Sequence, residues 1–406
     1  MKFLIIIPAW PKLAGQTLFN LPPVGAIQAA ACLPSGVAVE VINDNLQEVD
    51  LAADADLVGF SVLLTCQAPR AYELARAFRD RGKTVVIGGL HAALCTEECL
   101  EHADAVVAGE AEGVLPQVVA DFSEGRLQRL YRPAAPPDLA LAPLPRRDLY
   151  DKKAHYSYKG WEMVDLVETS RGCRFNCYPC CIPSLGLREH RKKPWADVAR
   201  DLEACQRLIF MVDNSLEQST AYQKELFTNL VGAGKRWISH PISPEPELLA
   251  LARRSGCWYV YHAIYTISDK IADRIKLYHD HGIAVEGTIL LGLDDHDEDF
   301  IKRLIDFLLT LDLDLAEFTV LTPFPGTRCR TQLAKEGRIF DHDWRHYNAG
   351  TVVYQPRQMS PEKLQELYHL AWSSFYAERS QNWRMSKLFL DVLKDLPRDE
   401  SGRRRA

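Results

Sequence analysis

No stretch of this 406-residue sequence reaches the roughly eighteen consecutive apolar residues of a membrane span. The opening MKFLIIIPAW has an apolar run only from Phe3 to Ile7, closed by Pro8, which suits a first buried strand better than a secretory leader. An excess of one charge is missing as well. A formal net charge of −6 gives no reason to expect a nucleic-acid partner. Two local basic clusters, Arg188 to Lys193 and Arg403 to Arg405, read as a solvated loop and a disordered tail. Internal repeats at solenoid periods are absent. The eleven cysteines form an odd count scattered along the chain, which argues against a disulfide framework. From these features a globular, cytoplasmic protein that does not span a membrane is expected.

What is present first is alternation. FLIIIPA (3–9), VAVEVIND (37–44), LVGFSVLL (57–64), TVVIGGLH (84–91) and ADAVVAGEAE (103–112) read as strands. Helices at 24–33, 69–82 and 114–125 lie among them. Fully apolar strands alternating with helices imply a parallel, doubly wound α/β sheet. Ligands of such sheets bind beyond the carboxyl ends of the strands. Those ends carry Pro8, Asp44, Ser61 to Thr65, Gly88 to His91 and Gly109 to Glu112.

A Pro- and Ala-rich stretch at 133–147 reads as a linker, and a second alternating region follows. Its strands are expected within 163–173, 207–215, 257–265, 282–293 and 315–327. Its helices are expected at 195–206, 217–233, 244–255, 268–281 and 297–311. This is the pattern of a partial β/α barrel, whose chemistry sits at the C-terminal strand ends. From Met359 an amphipathic helix opens on a Ser-Pro-Glu start signal. The expected domains are residues 1–132, a linker 133–160, a barrel 161–340, and a helical extension with a disordered tail, 341–406.

Cysteines crowd in one place. ETSRGCRFNCYPCCIP holds Cys173-x3-Cys177-x2-Cys180. Thiolates are the standard ligands of iron–sulfur clusters. A cubane with three cysteine ligands keeps one iron open for a small molecule. Cys181 offers a fourth thiolate, but a side chain adjacent to Cys180 would point elsewhere. Zinc prefers paired C-x2-C units or a His partner, and only one C-x2-C occurs here. Inert buried thiols would not gather in a loop carrying Gly, Arg, Asn and Pro.

RGCRFNCYPC, after a strand and before a helix, resembles the cluster loop of radical S-adenosylmethionine enzymes. Together with the N-terminal half, the chain resembles their cobalamin-binding members over about residues 1 to 380. HGIAVEGTILLGL, LAEFTVLTPFPGT and RQMSPEKLQELY are most similar to the branch that modifies hopanoids and tetrapyrroles. The resemblance implies a [4Fe–4S] cluster on Cys173, Cys177 and Cys180, with S-adenosylmethionine on the open iron. It implies S-adenosylmethionine contacts at Pro179, Asp213, Asn214, Gly287 and Gly292, with Asp213 contacting the ammonium. For Asp213 the alternative is a surface residue capping the next helix, and for the glycines it is turn or packing roles. Pro323 to Thr327 fits the family's last-strand loop.

For cobalamin the matching residues are Ser61, Thr65, Gly88, Gly89, His91, Gly109, Glu110 and Glu112; His91 alone could be a satisfied loop histidine. The family's lower-ligand motif Asp-x-His-x-x-Gly is not intact. Asp44 fits its start, but Leu46 replaces the ligating His and Val49 the Gly. Cobalamin is therefore expected without a histidine ligand. Other departures are Pro179, where the family usually has an aromatic residue; Tyr261 to Tyr265, where a Gly-Phe-Glu-Ser-like strand end with an acidic residue near the ribose is usual; and apparent shortening from there to His281 and around Ser239 to Pro246.

The function implied is methylation of an unactivated carbon of a hydrophobic isoprenoid, lipid or tetrapyrrole, with electrons from an external flavodoxin- or ferredoxin-type donor. One alternative is radical cyclisation or rearrangement without methyl transfer. Another is a non-catalytic cobalamin- or cluster-binding paralogue. Trp344, Tyr347, Trp372, Phe375 and Tyr376 could line a hydrophobic pocket, although such residues more often form a core.

Overall fold

The computed structural model describes residues 1–11, 21–151, 157–158, 161–162 and 164–394. The basic run Arg403 to Arg405 lies outside them, as does the end of the expected tail.

The first unit runs β1 (Lys2–Ile7), α1 (Val24–Ala31), β2 (Ala38–Asn43), β3 (Leu57–Ser61), α2 (Ala68–Arg79), β4 (Thr84–Gly88), α3 (Leu90–Leu94), α4 (Thr96–His102), β5 (Ala105–Val107), α5 (Leu115–Ser123) and β6 (Leu130–Tyr131). The strands form one parallel sheet in the order β2-β1-β3-β4-β5-β6. The chain reverses its winding between β1 and β3, so a crevice opens at their carboxyl ends. Alternation within β1 explains the two layers. Leu4 and Ile6 pack with Ala71, Leu74 and Phe78 of α2 on one face. Phe3 and Ile5 pack with Ala26 and Ala30 of α1 and Val118 of α5 on the other.

The second unit runs β7 (Asp165–Val167), α6 (Trp195–Ala204), β8 (Leu208–Met211), α7 (Thr220–Leu230), β9 (Arg236–Ser239), α8 (Pro246–Arg254), β10 (Cys257–Ile264), α9 (Asp269–Asp280), β11 (Ala284–Leu291), α10 (Glu298–Thr310) and β12 (Leu315–Val320). All pairings are parallel between consecutive strands, in the order β12-β11-β10-β9-β8-β7. This is an open β/α barrel. In β11 the burial alternates strictly. Val285, Gly287, Ile289 and Leu291 are buried toward the helices, and Ala284, Glu286, Thr288 and Leu290 line the half-exposed inner face. The segments that look shortened in the sequence delete no element: β9 and α8 cover one and β10 and α9 the other.

α11 (Arg328–Lys335), α12 (Pro361–Phe375) and α13 (Gln381–Lys394) complete the described chain. Ser360 caps α12, its hydroxyl accepting from Lys363 N at 3.2 Å. Among the described residues no helix is long and apolar enough to cross a membrane.

The linker is not loose. Arg147 is 5% exposed and donates to both oxygens of Asp201, at 2.7 and 2.8 Å, and to Asp165 at 3.1 Å. The basic loop is also not simply solvated. Arg191 pairs with Glu110, and Lys193 lies 3.1 Å from Glu168 with its side chain 10% exposed.

Candidate functional site

A cavity of about 1130 Å³ opens at the β1/β3 crevice and runs between the two sheets into the barrel. It exceeds the roughly 300–1,000 Å³ of ordinary small-molecule pockets. Ser61, Gly88, Gly89, Gly109, Glu110 and Glu112 line its first end. Gly89 has φ +100, and a Cβ there would lie 2.5 Å from the Val62 carbonyl oxygen. That close approach requires glycine. Gln67, also on the wall, ties the strand ends together: its Oε1 accepts from Leu63 N and Leu64 N at 3.0 and 2.8 Å, and its Nε2 donates to Pro8 O at 2.8 Å.

Two expected contacts lie elsewhere. Thr65 is buried in the turn before α2 and does not line the cavity. His91 is fully buried on the other side of α3, because Gly89 starts the helix directly after β4 and turns the imidazole away. Its Nε2 lies 3.0 Å from the Tyr72 hydroxyl, which donates to Glu98 at 2.8 Å. Trp344 Nε1 from beyond the barrel also donates to Glu98 at 2.8 Å. Burial would raise the Glu98 carboxyl, but the imidazole of His91 3.9 Å away and the hydrogen bonds from Tyr72 and Trp344 outweigh burial and hold it below the usual range. His91 thus belongs to a junction between the two units.

The lower-ligand position is equally clear. Asp44 accepts from Ala9 N at 3.0 Å and from Arg70 Nε at 2.8 Å. Val49 is buried in the core, and no described residue lining the cavity is a histidine.

The cysteine loop is built by backbone constraint. Gly172 has φ +92, and a Cβ would lie 2.0 Å from the Glu189 carbonyl oxygen. Ser170–Arg171 pairs antiparallel with Arg191–Lys192, and Cys173 N donates to Leu187 O at 2.9 Å. The residues after β8 hold the loop from below. Asp213 is 1% exposed and accepts from Thr169 N at 2.7 Å, Thr169 Oγ1 at 2.5 Å and Ser170 Oγ at 2.7 Å. Burial pushes its pKa up to about 6, although those three donors oppose the shift. Asn214 Oδ1 accepts from Gly172 N at 2.8 Å, and Gln218 bridges Gly172 O and Arg174 N at 2.9 and 3.1 Å. Asp213 is therefore neither an open ligand nor a surface cap; it is committed to positioning the loop.

Cys173 is buried, Cys177 exposed, and Cys180 intermediate. Burial raises the Cys173 and Cys180 thiols, and Cys177 next to both raises them further. Cys181 is raised by burial and by Cys180, with no influence from Cys173 or Cys177. Cys173 and Cys180 thus both feel Cys177, whereas Cys181 feels Cys180 alone. Such a set fits a cubane with three protein ligands, because metal binding displaces the protons and relieves the crowding. Pro179 lies half-buried between Cys177 and Cys180. Its neighbour Tyr178 turns to α11, donating to Gln332 Oε1 at 3.1 Å.

The two glycines proposed for S-adenosylmethionine face packing instead. A Cβ on Gly287 would meet Leu313, Ile264 and Ile289 of the outer layer at 3.0–3.2 Å. One on Gly292, at φ +89, would lie 2.5 Å from the Tyr354 hydroxyl, which bonds the Gly292 carbonyl. Of the five late aromatics only Trp372 lines the cavity.

Sequence reasoning missed the barrel end of the cavity, where Phe210, Trp258, Tyr259, Tyr261, Glu286 and Glu317 form the wall. The available signal was the period-two pattern of β11, in which Glu286 falls on the inward register.

Residues 12–119 match the B12-binding domain model. The bacteriochlorophyllide d C-12(1)-methyltransferase of Chlorobaculum tepidum is 27% identical over 348 residues, 77% of this chain and 74% of that protein. The family model thus covers the first unit, and over most of its length the chain is similar to methyltransferases of this kind. The hopanoid C-2 methylase of Rhodopseudomonas palustris is 22% identical over 404 residues, 88% of this chain and 75% of that protein. The fold of this chain matches the radical S-adenosylmethionine methyltransferase TsrM of Kitasatospora setae with a TM-score of 0.67 and 16% identity, over 94% and 91% of the two chains. That TsrM structure has cobalamin and a [4Fe–4S] cluster bound.

Proposed function

We propose that this chain is a cobalamin-dependent radical S-adenosylmethionine methyltransferase acting on an unactivated carbon of a hydrophobic small molecule. One observation carries the reading. A single cavity joins the β1/β3 crevice, the flank of the cysteine loop at Arg171 and Leu185 to Leu187, and the aromatic barrel interior. Cofactor and substrate can therefore meet without crossing solvent. When bound, the cluster and S-adenosylmethionine supply the means to remove a hydrogen atom, and cobalamin supplies a methyl group.

The residues here bind and position. Cys173, Cys177 and Cys180 hold the cluster, and Asp213 and Asn214 fix their loop. Gly88, Gly89 and Gly109 let backbone approach the corrinoid, with Ser61 as a polar contact. Glu110 and Glu112 act through Arg171 and Arg191, closing the junction. Pro179 and the exposed Asn214 are the retained S-adenosylmethionine contacts. Electrons come from an external flavodoxin- or ferredoxin-type protein, in a reducing cytoplasmic setting that keeps the eleven cysteines out of disulfides.

The test is product analysis after anaerobic reconstitution and reduction, with S-adenosylmethionine and an anaerobic small-molecule extract. Methyl transfer with radical cleavage yields S-adenosylhomocysteine, 5′-deoxyadenosine and a product heavier by one methylene. 5′-Deoxyadenosine alone would replace methylation by other radical chemistry. Neither compound, at full cofactor loading, would leave a non-catalytic binding protein.

A further inference from the structure

The barrel end of the cavity has a chemistry of its own. Glu286 on β11 pairs in register with Leu315, and Glu317 lies two residues further along β12, so both carboxyls stand on the same inner face. Both line the cavity. The Tyr259 hydroxyl donates to Glu286. Glu317 has no hydrogen bond or ion pair, and neither carboxyl faces a cation, among the described residues. Burial pushes both above the usual carboxylate range, and Glu317 adds to the shift at Glu286.

The surroundings are aromatic. Phe210 stacks on Tyr261 at 5.4 Å, Tyr259 meets Tyr261 edge-on at 5.3 Å, and Trp258 lies 5.7 Å from Phe389. The Trp258 indole, 6% exposed, lines this end, and its Nε1 has no acceptor. The basic side chains lining the cavity are Arg132, Arg171 and Lys193. Arg132 follows β6, and the other two flank the cysteine loop, where Arg171 and Lys193 are paired with glutamates.

Half-buried carboxyls that no cation faces are costly unless an occupant compensates them. Aromatic rings around acidic groups are the environment in which organic ammonium groups are recognised. An anionic headgroup would face two acidic side chains and no cation at this end among the described residues, and a pure hydrocarbon would leave Glu317 and the Trp258 N–H without partners. We propose that the substrate carries a cationic nitrogen on its apolar skeleton, and that Glu286 and Glu317 bind that nitrogen within the aromatic wall. The Trp258 N–H then serves an acceptor on the same molecule. This rests on the reading of the cavity as the chamber of methyl transfer.

The test uses anaerobic titration calorimetry on the cofactor-loaded protein. The probes are 2-(1-naphthyl)ethylamine, 2-(1-naphthyl)ethanol and 1-naphthylacetate, which share a ring and differ in the polar end. The amine is expected to bind about tenfold or more tightly than the alcohol, with the acetate weakest. The Glu286→Gln/Glu317→Gln double variant is expected to lose that preference while keeping its iron and cobalamin. Glu317→Gln alone, which leaves the Tyr259–Glu286 bond intact, is expected to lose part of it and serves should the double variant fail to fold. Equal binding of amine and alcohol by the unaltered protein, or a preference that survives in the variants, would overturn the proposal. Cofactor content and cleavage of S-adenosylmethionine are read separately, so failure of the methyltransferase reading would be recognised on its own.

Discussion

Arg171, two residues ahead of Cys173, donates to Glu112 of the first unit at 3.0 Å. The same guanidinium donates to Glu168 at 2.8 Å and also bonds Glu110. Burial would raise Glu168, but Arg171 and Lys193 outweigh it and hold the carboxyl below the usual range. One side chain thus ties the cobalamin-binding unit to the cysteine loop. Removing a buried cation leaves its carboxylates uncompensated, typically at a cost of about 3–5 kcal/mol. Arg171→Met is expected to lower the thermal unfolding midpoint by several degrees and to weaken cobalamin retention, both measured on the purified protein. An unchanged midpoint would mean that the junction carries little energy.

Backbone constraint at the loop gives a sharper contrast. A Cβ on Gly172 would lie 2.0 Å from a carbonyl oxygen, with φ at +92. Gly172→Ala is expected to lose most of the reconstituted iron while far-ultraviolet dichroism stays near that of the unaltered protein. Cys181→Ala, whose thiol feels Cys180 but neither Cys173 nor Cys177, is expected to keep its iron.

Asp213 predicts a pH dependence. Its folded pKa, about 6, stands above the ordinary aspartate value, so the neutral form is favoured by folding. The stability it contributes is full below the unfolded pKa, near 3.9. It is lost as pH rises through about 6. Asp213→Asn is expected to flatten this fall in denaturant titrations between those limits. It is also expected to loosen the loop by replacing an acceptor of Thr169 or Ser170 with an amide donor.

With Leu46 at the ligand position and no described histidine on the cavity wall, bound cobalamin is expected to lack histidine ligation. Electron paramagnetic resonance of the Co(II) form should show no nitrogen splitting from a histidine. A resolved splitting abolished by replacing a histidine would contradict this.

The sequence made the two sheets legible because their strands are short apolar runs punctuated by helices. It hid β9, where Arg236 and the brevity of the strand mask a core position held by Trp237. It also hid α3 and α4, since TEECLEH carries little apolar periodicity and GGLH looks like a strand end. The cysteine triad was readable because its spacing alone is informative. The roles of Asp213 and His91 were not, because which way each side chain turns is decided by Gly89 and by donors more than forty residues away from Asp213. The chamber's acidic end was invisible because an inward Glu and a solvated Glu look alike until the strand register is known.

The central claim is that three cysteines hold an iron–sulfur cluster beside a cobalamin chamber. The most direct measurement is iron and cobalamin content after anaerobic reconstitution, compared with a variant carrying Cys173→Ala, Cys177→Ala and Cys180→Ala. The unaltered protein is expected to bind about four irons and about one cobalamin per chain, and the variant to lose the iron while keeping the cobalamin. Iron content unchanged by the three substitutions would contradict the account.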